Sequence, residues 1–299
     1  MNILILGGTG FIGTHLARSY EESGDSVTVI DNYSTSNSGG LKVLKNIDIV
    51  YNDITKMDDS ILYPYIGNAD KIYFLAGSVG VSNIDSNPYQ TLLNNVDICR
   101  KLIPLFEKAQ RHVIFTSSSE IYGSAEYAFS EDDPASIPSS LNTRGGYATS
   151  KLLTEFMITS SSFPYSIARL FNVVGSGQLS KYGMVLPRFI EKAKKNKPLA
   201  IYGTGEQIRS FCHVSDAVSL LQKITPEDKL INIGNSEDPI TMTTLAMLVI
   251  KLLHSKSIIS YKNPRSSEIM YRIPDMSMAI NKYDYKPRYD LGDIIREMM

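Results

Sequence analysis

The chain has 299 residues, 43% hydrophobic and 20% charged. This is the composition of a folded globular protein, long enough for one large α/β domain or for a nucleotide-binding domain with a smaller second lobe. A formal net charge of −1 offers no basic footprint for nucleic acid, and no run approaches the ~18 apolar residues that span a bilayer, so neither a nucleic-acid nor a membrane partner is expected. Cys99 and Cys212 form no C-x-x-C pair, which argues against a disulfide framework or zinc site and for buried thiols in a reducing compartment.

The opening run Met1-Asn2-Ile3-Leu4-Ile5-Leu6 is too short for a secretory signal and lacks a basic flank, so a cytoplasmic location is expected. Residues 3–6 predict a short buried strand, residues 7–13 a glycine turn, and residues 11–22 a helix that Gly24-Asp25 ends. Strands are predicted at 26–31, 48–51 and 71–75, a long helix at 88–110, a strand at 112–116, a helix at 147–161 and a strand at 165–170. This alternation points to a parallel, doubly wound sheet. Beyond it, Pro, Gly and Ser punctuate 174–183 and 196–209, with short strands predicted at 199–202 and 230–233 and a helix at 243–253. The expected organisation is a domain over 1–172 and a smaller C-terminal α/β lobe over 173–299, with some chain exchanged back to the sheet. Lys192, Lys194, Lys195 and Lys197 fit a solvated helix face. His15, His112, His213 and His254 lack metal-ligand spacing, so no metal is expected.

Gly7-Gly8-Thr9-Gly10-Phe11-Ile12-Gly13 places G-x-x-G-x-x-G between a strand and a helix. Gly7 and Gly10 allow a tight turn and close approach of a pyrophosphate. Gly13 lets helix and strand pack, and the helix N-terminus supplies free N–H groups. Asp31, at the end of the second strand, suits an adenosine ribose and repels a 2′-phosphate, which favours NAD over NADP on a Rossmann-type sheet. Asp53, after the third strand, either reaches the adenine or caps the next turn.

Tyr147-Ala148-Thr149-Ser150-Lys151 puts a phenol and an ammonium on one helix face. A tyrosine ionises near pH ~10, so a neighbouring cation is expected to help it act as a base at neutral pH. Thr116-Ser117-Ser118-Ser119-Glu120 lies just past the fifth strand, where α/β sheets bind ligands; a hydroxyl there can hydrogen-bond a reacting substrate oxygen.

With these motifs the chain resembles the extended short-chain dehydrogenases/reductases, specifically their nucleotide-sugar epimerases, dehydratases and decarboxylases. Further matches are Phe74-Leu75-Ala76-Gly77, Arg169-Leu170-Phe171-Asn172-Val173-Val174-Gly175-Ser176-Gly177-Gln178, the segment from Ile201 to Phe211, Arg265-Ser266-Ser267-Glu268 and Pro274-Asp275. The resemblance implies a bound NAD facing Gly7, Gly10, Phe11, Ile12, Gly13, Asp31, Asn32, Asp53, Ile54, Leu75, Ala76, Gly77, Asn95, Ser117, Tyr147 and Lys151. It implies catalysis by Tyr147, Lys151, Ser118, Ser119 and Glu120. A nucleotide sugar, expected to carry UDP, would meet Ser78, Ser118, Asn172, Arg209, Arg265, Glu268 and Arg272. It also implies a homodimer through two helices per subunit.

All branches of the family start by oxidising the sugar at C4. Ser119-Glu120 replaces the Asp-Glu pair usual in 4,6-dehydratases. Arg144, Arg209-Ser210-Phe211 and Arg272-Ile273-Pro274-Asp275 resemble UDP-glucuronate decarboxylases, whereas Ser78-Val79-Gly80-Val81 is nearer the epimerases. The expectation from sequence ranks 4-epimerase first, decarboxylase second and dehydratase third. A non-catalytic NAD-binding protein of the same fold is the remote alternative.

Overall fold

A computed structural model describes residues 1–34, 41, 46–79, 86–137, 139–140, 145–264 and 269–299. Seven parallel strands form the main sheet, in the order β11-β6-β5-β4-β1-β2-β3. They are β1 (Asn2–Leu6), β2 (Ser26–Asp31), β3 (Ile47–Tyr51), β4 (Lys71–Phe74), β5 (His112–Ser118), β6 (Tyr165–Leu170) and β11 (Leu230–Ile233). The strand order reverses between β1 and β4, which opens a crevice at the carboxyl ends of those strands.

The central strands are apolar on both faces, as helices covering both sides require. Ile3 and Ile5 of β1 face one layer, with Tyr20 of α1 (Phe11–Glu22) and Val218 and Leu221 of the helix at 214–223. Leu4 and Leu6 face the other, with Leu62 and Ile66 of α2 (Asp59–Asn68), Leu102 and Phe106 of α3 (Pro88–Ala109), and Ile158 of α4 (Gly145–Thr159). Period-two alternation along one strand thus builds two cores.

The later chain adds α5 (Val185–Lys194), α6 (Val214–Lys223), α7 (Met242–Leu252), α8 (Ser277–Tyr283) and α9 (Leu291–Glu297). A third core joins Leu186, Phe189 and Ile190 of α5 to Leu245 and Val249 of α7 and to Ile294 and Ile295 of α9. Small sheets edge this region: β7 (Val173–Val174) pairs with β10 (Cys212–His213), β8 (Leu199–Tyr202) with β13 (Ile259–Lys262), and β9 (Ile208–Arg209) lies between β12 (Ile240–Thr241) and β14 (Tyr271–Arg272). The strand expected at 230–233 is the edge of the main sheet, paired with β6, so the second half of the chain contributes to both regions. Lys192 and Lys194 fall in the last turn of α5, and Cys99 and Cys212 are both buried.

Candidate active site

The glycine corner follows β1. Gly7 has φ +83°, and a Cβ there would lie 2.6 Å from the Ala76 backbone. A Cβ on Gly13 would come 2.6 Å from Gly8 Cα, so α1 can sit this close only without a side chain. Gly10 differs: its Cβ would meet nothing nearer than 3.6 Å, and as N-cap of α1 it gives no side-chain hydrogen bond to the first turn. An open cradle therefore faces the positive end of a helix dipole. Phe11 and Ile12 start that helix, half-buried against the first core.

Asp31 ends β2. Its Oδ2 accepts from Thr9 N at 3.0 Å and its Oδ1 from Tyr33 N at 2.7 Å, so the carboxylate pins the corner while each oxygen keeps acceptor capacity. Asn32 Oδ1 accepts from Ser34 N at 3.0 Å. Asp53 caps the short turn that follows it, accepting from Thr55 N and Thr55 Oγ1 at 3.0 and 2.7 Å, and Ile54 is buried beneath. Leu75, Ala76 and Gly77 follow β4 along the crevice, with Leu75 N donating to Leu6 O at 2.9 Å. Asn95 of α3 holds the next turn: Oδ1 accepts from Ser78 N at 2.7 Å, and Nδ2 donates to Ser150 Oγ on α4 at 3.0 Å. The Ser117 hydroxyl at the tip of β5 is buried without a hydrogen-bond partner. An uncapped helix over an open glycine cradle, an acid at the second strand tip and an unmatched buried hydroxyl fit a dinucleotide.

At the other end of the crevice, Ser118 caps the turn Ser119–Tyr122 by accepting from Glu120 N at 3.2 Å. The Tyr147 phenol hydrogen-bonds Ser118. Desolvation of that hydroxyl, aided by the charge of Glu120, pushes its pKa well above the ordinary value; the bond to Ser118 and the charge of Arg272 pull the other way. Lys151 is buried, donates from Nζ to Thr116 O at 2.9 Å and lies 4.7 Å from the Phe115 ring centroid. Desolvation lowers its pKa to about 8, against the charge of Glu155. The sequence assigned acidification of the phenol to Lys151 together with a cationic nicotinamide. In the structure the lowering influences on Tyr147 are Ser118 and Arg272.

Beyond this pair opens a cavity of about 240 Å³, whose lining includes Glu120, Asn172, Gln178, Arg188, Tyr202, Gln207, Arg209 and Arg272. Arg272 Nη1 lies 3.4 Å from Glu120 Oε1, and its side chain is only 8% exposed. The chain brings it there by lacing 273–275 against Phe129: Phe129 N donates to Ile273 O at 2.9 Å, and Asp275 N to Phe129 O at 2.7 Å. The Phe129 ring stacks on Tyr122, next to the Glu120 turn, at 4.9 Å. Arg209 is braced by carbonyls, Ile208 O at 2.7 Å and Met270 O at 3.3 Å. Asn172 Nδ2 donates to Ser210 O at 2.9 Å. The expected residues Arg265 and Glu268, with Arg144, Gly80 and Val81, lie outside the described residues. Sequence reading missed Arg188 of α5, whose guanidinium sits 5.6 Å from the Tyr202 ring centroid, and Gln207; only the fold brings them to the wall.

Residues 3–234 match the NAD dependent epimerase/dehydratase family. The chain belongs to this family. It is thus an enzyme of an NAD-dependent group, with NAD as its cofactor. A UDP-N-acetyl-alpha-D-glucosaminuronate decarboxylase of Bacillus cytotoxicus is 34% identical over 85% of this chain and 81% of its own length. UDP-glucuronic acid decarboxylase 5 of Arabidopsis thaliana is 30% identical over 98% of this chain and 86% of its own. Among solved structures, a UDP-glucuronic acid 4-epimerase from Bacillus cereus superposes with a TM-score of 0.89 at 25% identity, over 99% of this chain and 97% of that one. No helix among the described residues is long and apolar enough to cross a membrane.

Proposed function

We infer that the chain is an NAD-dependent decarboxylase of a UDP-linked uronic acid. The observation that carries this is Arg272, a buried guanidinium 3.4 Å from the Glu120 carboxylate beside the Ser118–Tyr147 pair. A neutral sugar has no use for a cation there, whereas a uronate carboxylate takes Glu120's place as its partner. The sequence ranked epimerisation first; Arg272's placement and the decarboxylase relatives reverse that order.

Tyr147, ionised, receives the proton of the sugar 4-hydroxyl through Ser118. The open cradle at Gly10 would hold the dinucleotide diphosphate, Asp31 a ribose diol, and Lys151 and Ser117 the nicotinamide side; the cofactor bound there would supply the hydride acceptor for C4 and its later donor. A ketone at C4 makes the C5 carboxylate a β-keto acid. The bond from C5 to the carboxyl carbon then breaks, its electron pair passing into an enolate on O4, and carbon dioxide leaves. Protonated Tyr147 beside O4 stabilises that charge, while cationic Arg272 binds and orients the carboxylate before it departs. C5 then takes one proton, and Tyr147 returns its own to O4. The balance is one carbon dioxide lost, one proton gained and the cofactor unchanged. Arg209 and Asn172 would hold the diphosphate farther along the cavity.

The test is incubation with UDP-glucuronate, UDP-N-acetylglucosaminuronate and UDP-glucose, followed by mass spectrometry. The expected result is loss of carbon dioxide from a uronate and none from UDP-glucose. Unchanged mass with inversion at C4 would favour uronate 4-epimerisation, the second reading, which the structural likeness to the Bacillus cereus enzyme supports. A homodimer is proposed through α3 and α4, which lie side by side; α4 turns Leu153 and Phe156 outward, 42% and 62% exposed.

A further inference from the structure

The loop 175–178 is clipped on both sides by side chains that the reaction itself does not use. His15, on the cofactor-side helix α1, donates from Nε2 to Ser176 O at 2.9 Å. Ser176 N donates to Glu297 Oε1 of α9 at 3.2 Å. The other oxygen of Glu297 accepts from His213 Nε2 at 2.7 Å, and His213 is 3% exposed. The tautomer follows from geometry: His213 Nδ1 accepts from Ser215 N at 3.3 Å as it caps α6, so Nε2 carries the hydrogen. His213 is also packed on the Tyr289 ring, 4.0 Å between centroids, and Gly175 passes close enough that a Cβ would sit 3.5 Å from its Nε2.

The same loop continues into the substrate wall: Val173, Val174 and Gln178 line the cavity. It therefore stands between α1, which starts at the glycine corner, and the pocket for the sugar. Gly175 and Gly177 bring little rigidity of their own, so the loop's position is set by the bonds it makes. Hydride transfer in both directions needs donor and acceptor carbons held within a fraction of an ångström.

We propose that Glu297 and His15 are positioning residues that clamp this loop, fixing the substrate wall relative to the cofactor helix so that the oxidised sugar is retained until it is reduced again. This rests on the NAD-dependent oxidation inferred above. Without the clamp the first half of the cycle runs, but the keto sugar escapes before the hydride returns, and NADH is left on the enzyme.

The test uses the NAD-loaded protein with Glu297→Ala, Glu297→Gln, His15→Ala and the double variant Glu297→Ala/His15→Ala. Near-ultraviolet absorbance reports NADH during turnover of the uronate, and amide hydrogen exchange reports residues 175–178. Each alanine variant is expected to raise the fraction of turnovers ending in NADH at least tenfold and to speed exchange at Ser176. The double variant is expected to be no worse than the more severe single one, since both act through one loop. Glu297→Gln still accepts from Ser176 N through its amide oxygen, so it should restore coupling even though its amide nitrogen no longer suits His213 Nε2–H. Unchanged NADH partition and exchange in both alanine variants overturns the proposal. So does strict additivity, or a Glu297→Gln variant that leaks as much as Glu297→Ala. Should Glu297→Ala fold poorly, His15→Ala, which leaves α9 and the α6 cap intact, decides alone. Hydrogen exchange tests the clamp regardless of which sugar is turned over; a wild-type protein that releases carbon dioxide from no uronate refutes the functional reading instead.

Discussion

In the proposed reaction Tyr147 acts only as a phenolate, yet its surroundings hold the proton on. Tyr147→Phe is expected to lower kcat by a factor of ~10²–10⁴, the usual worth of a positioned acid–base group, while bound NAD is retained. Glu120 raises the Tyr147 pKa and Arg272 lowers it. Glu120→Gln should therefore move the acid limb of the kcat/KM profile to lower pH, and Arg272→Gln should move it to higher pH. A pH profile for each variant checks the two signs together, and a common direction would refute this electrostatic account. Lys151 makes a second, thermodynamic prediction. Its folded pKa of about 8 lies below the ordinary lysine value of 10.5. Below pH 8 both states hold the proton, and the cost of burying the charge is fully present. Between pH 8 and 10.5 the unfolded chain binds more protons, so stability rises with pH there. The gain attached to Lys151 is on the order of 3 kcal/mol. Denaturant titrations of wild type and Lys151→Met, compared across that window, should differ by a slope that the variant lacks.

At the scale of elements, the helix that carries Tyr147 and Lys151 is tied to the sheet by a buried ion pair. Arg169 of β6 donates from Nε to Glu155 Oε1 at 3.2 Å and from Nη2 to Oε2 at 2.8 Å, and the guanidinium lies over the Tyr122 ring at 4.6 Å. Removing one partner strands a buried charge, so Glu155→Gln is expected to cost roughly 3–5 kcal/mol in chemical denaturation. It also removes the charge that holds the Lys151 pKa up, so Lys151 should titrate lower still. An unchanged denaturation midpoint would show that packing alone holds α4. This pair was not legible in the sequence, because Glu155 and Arg169 carry no spacing that marks them as partners. The strands and helices of the first half were legible, since short apolar runs and glycine breaks are local signals: α1, β2 and β6 have the predicted bounds. The helix α2 was missed because Pro64 sits inside it and reads as a breaker. Strands of two residues, such as β9 and β14, leave no period to detect, although they deliver Arg209 and Arg272. Tyr147, Lys151 and Ser118 could be named from motifs, whereas Arg188 and Gln207 emerge only when α5 and the segment 199–211 fold over the cavity.

At the scale of the whole molecule, α4 has two faces with different fates. Lys151, Glu155 and Ile158 point inward, while Leu153 and Phe156, three residues apart on one face, point to solvent. Tyr89 of the neighbouring α3 is likewise 74% exposed. The homodimer proposed above would bury these outward apolar side chains about a two-fold axis, as an isologous interface does. If the proposed homodimer forms, Phe156→Asp should convert it to a monomer in analytical ultracentrifugation, and a wild-type protein that sediments as a monomer would refute it. A charge there leaves the folded subunit almost untouched, since Phe156 packs little within its own chain. The two tethers on α4 can then be separated. If the Arg169–Glu155 pair suffices to hold the helix, monomeric Phe156→Asp retains wild-type kcat and only the assembly is lost. If the partner's helices complete its support, kcat falls as the wild-type protein is diluted through its dimer dissociation, and the variant matches the diluted enzyme. The inward anchoring of Glu155 favours the first outcome. A kcat that tracked dimer fraction would mean that the catalytic helix is shared property of two subunits.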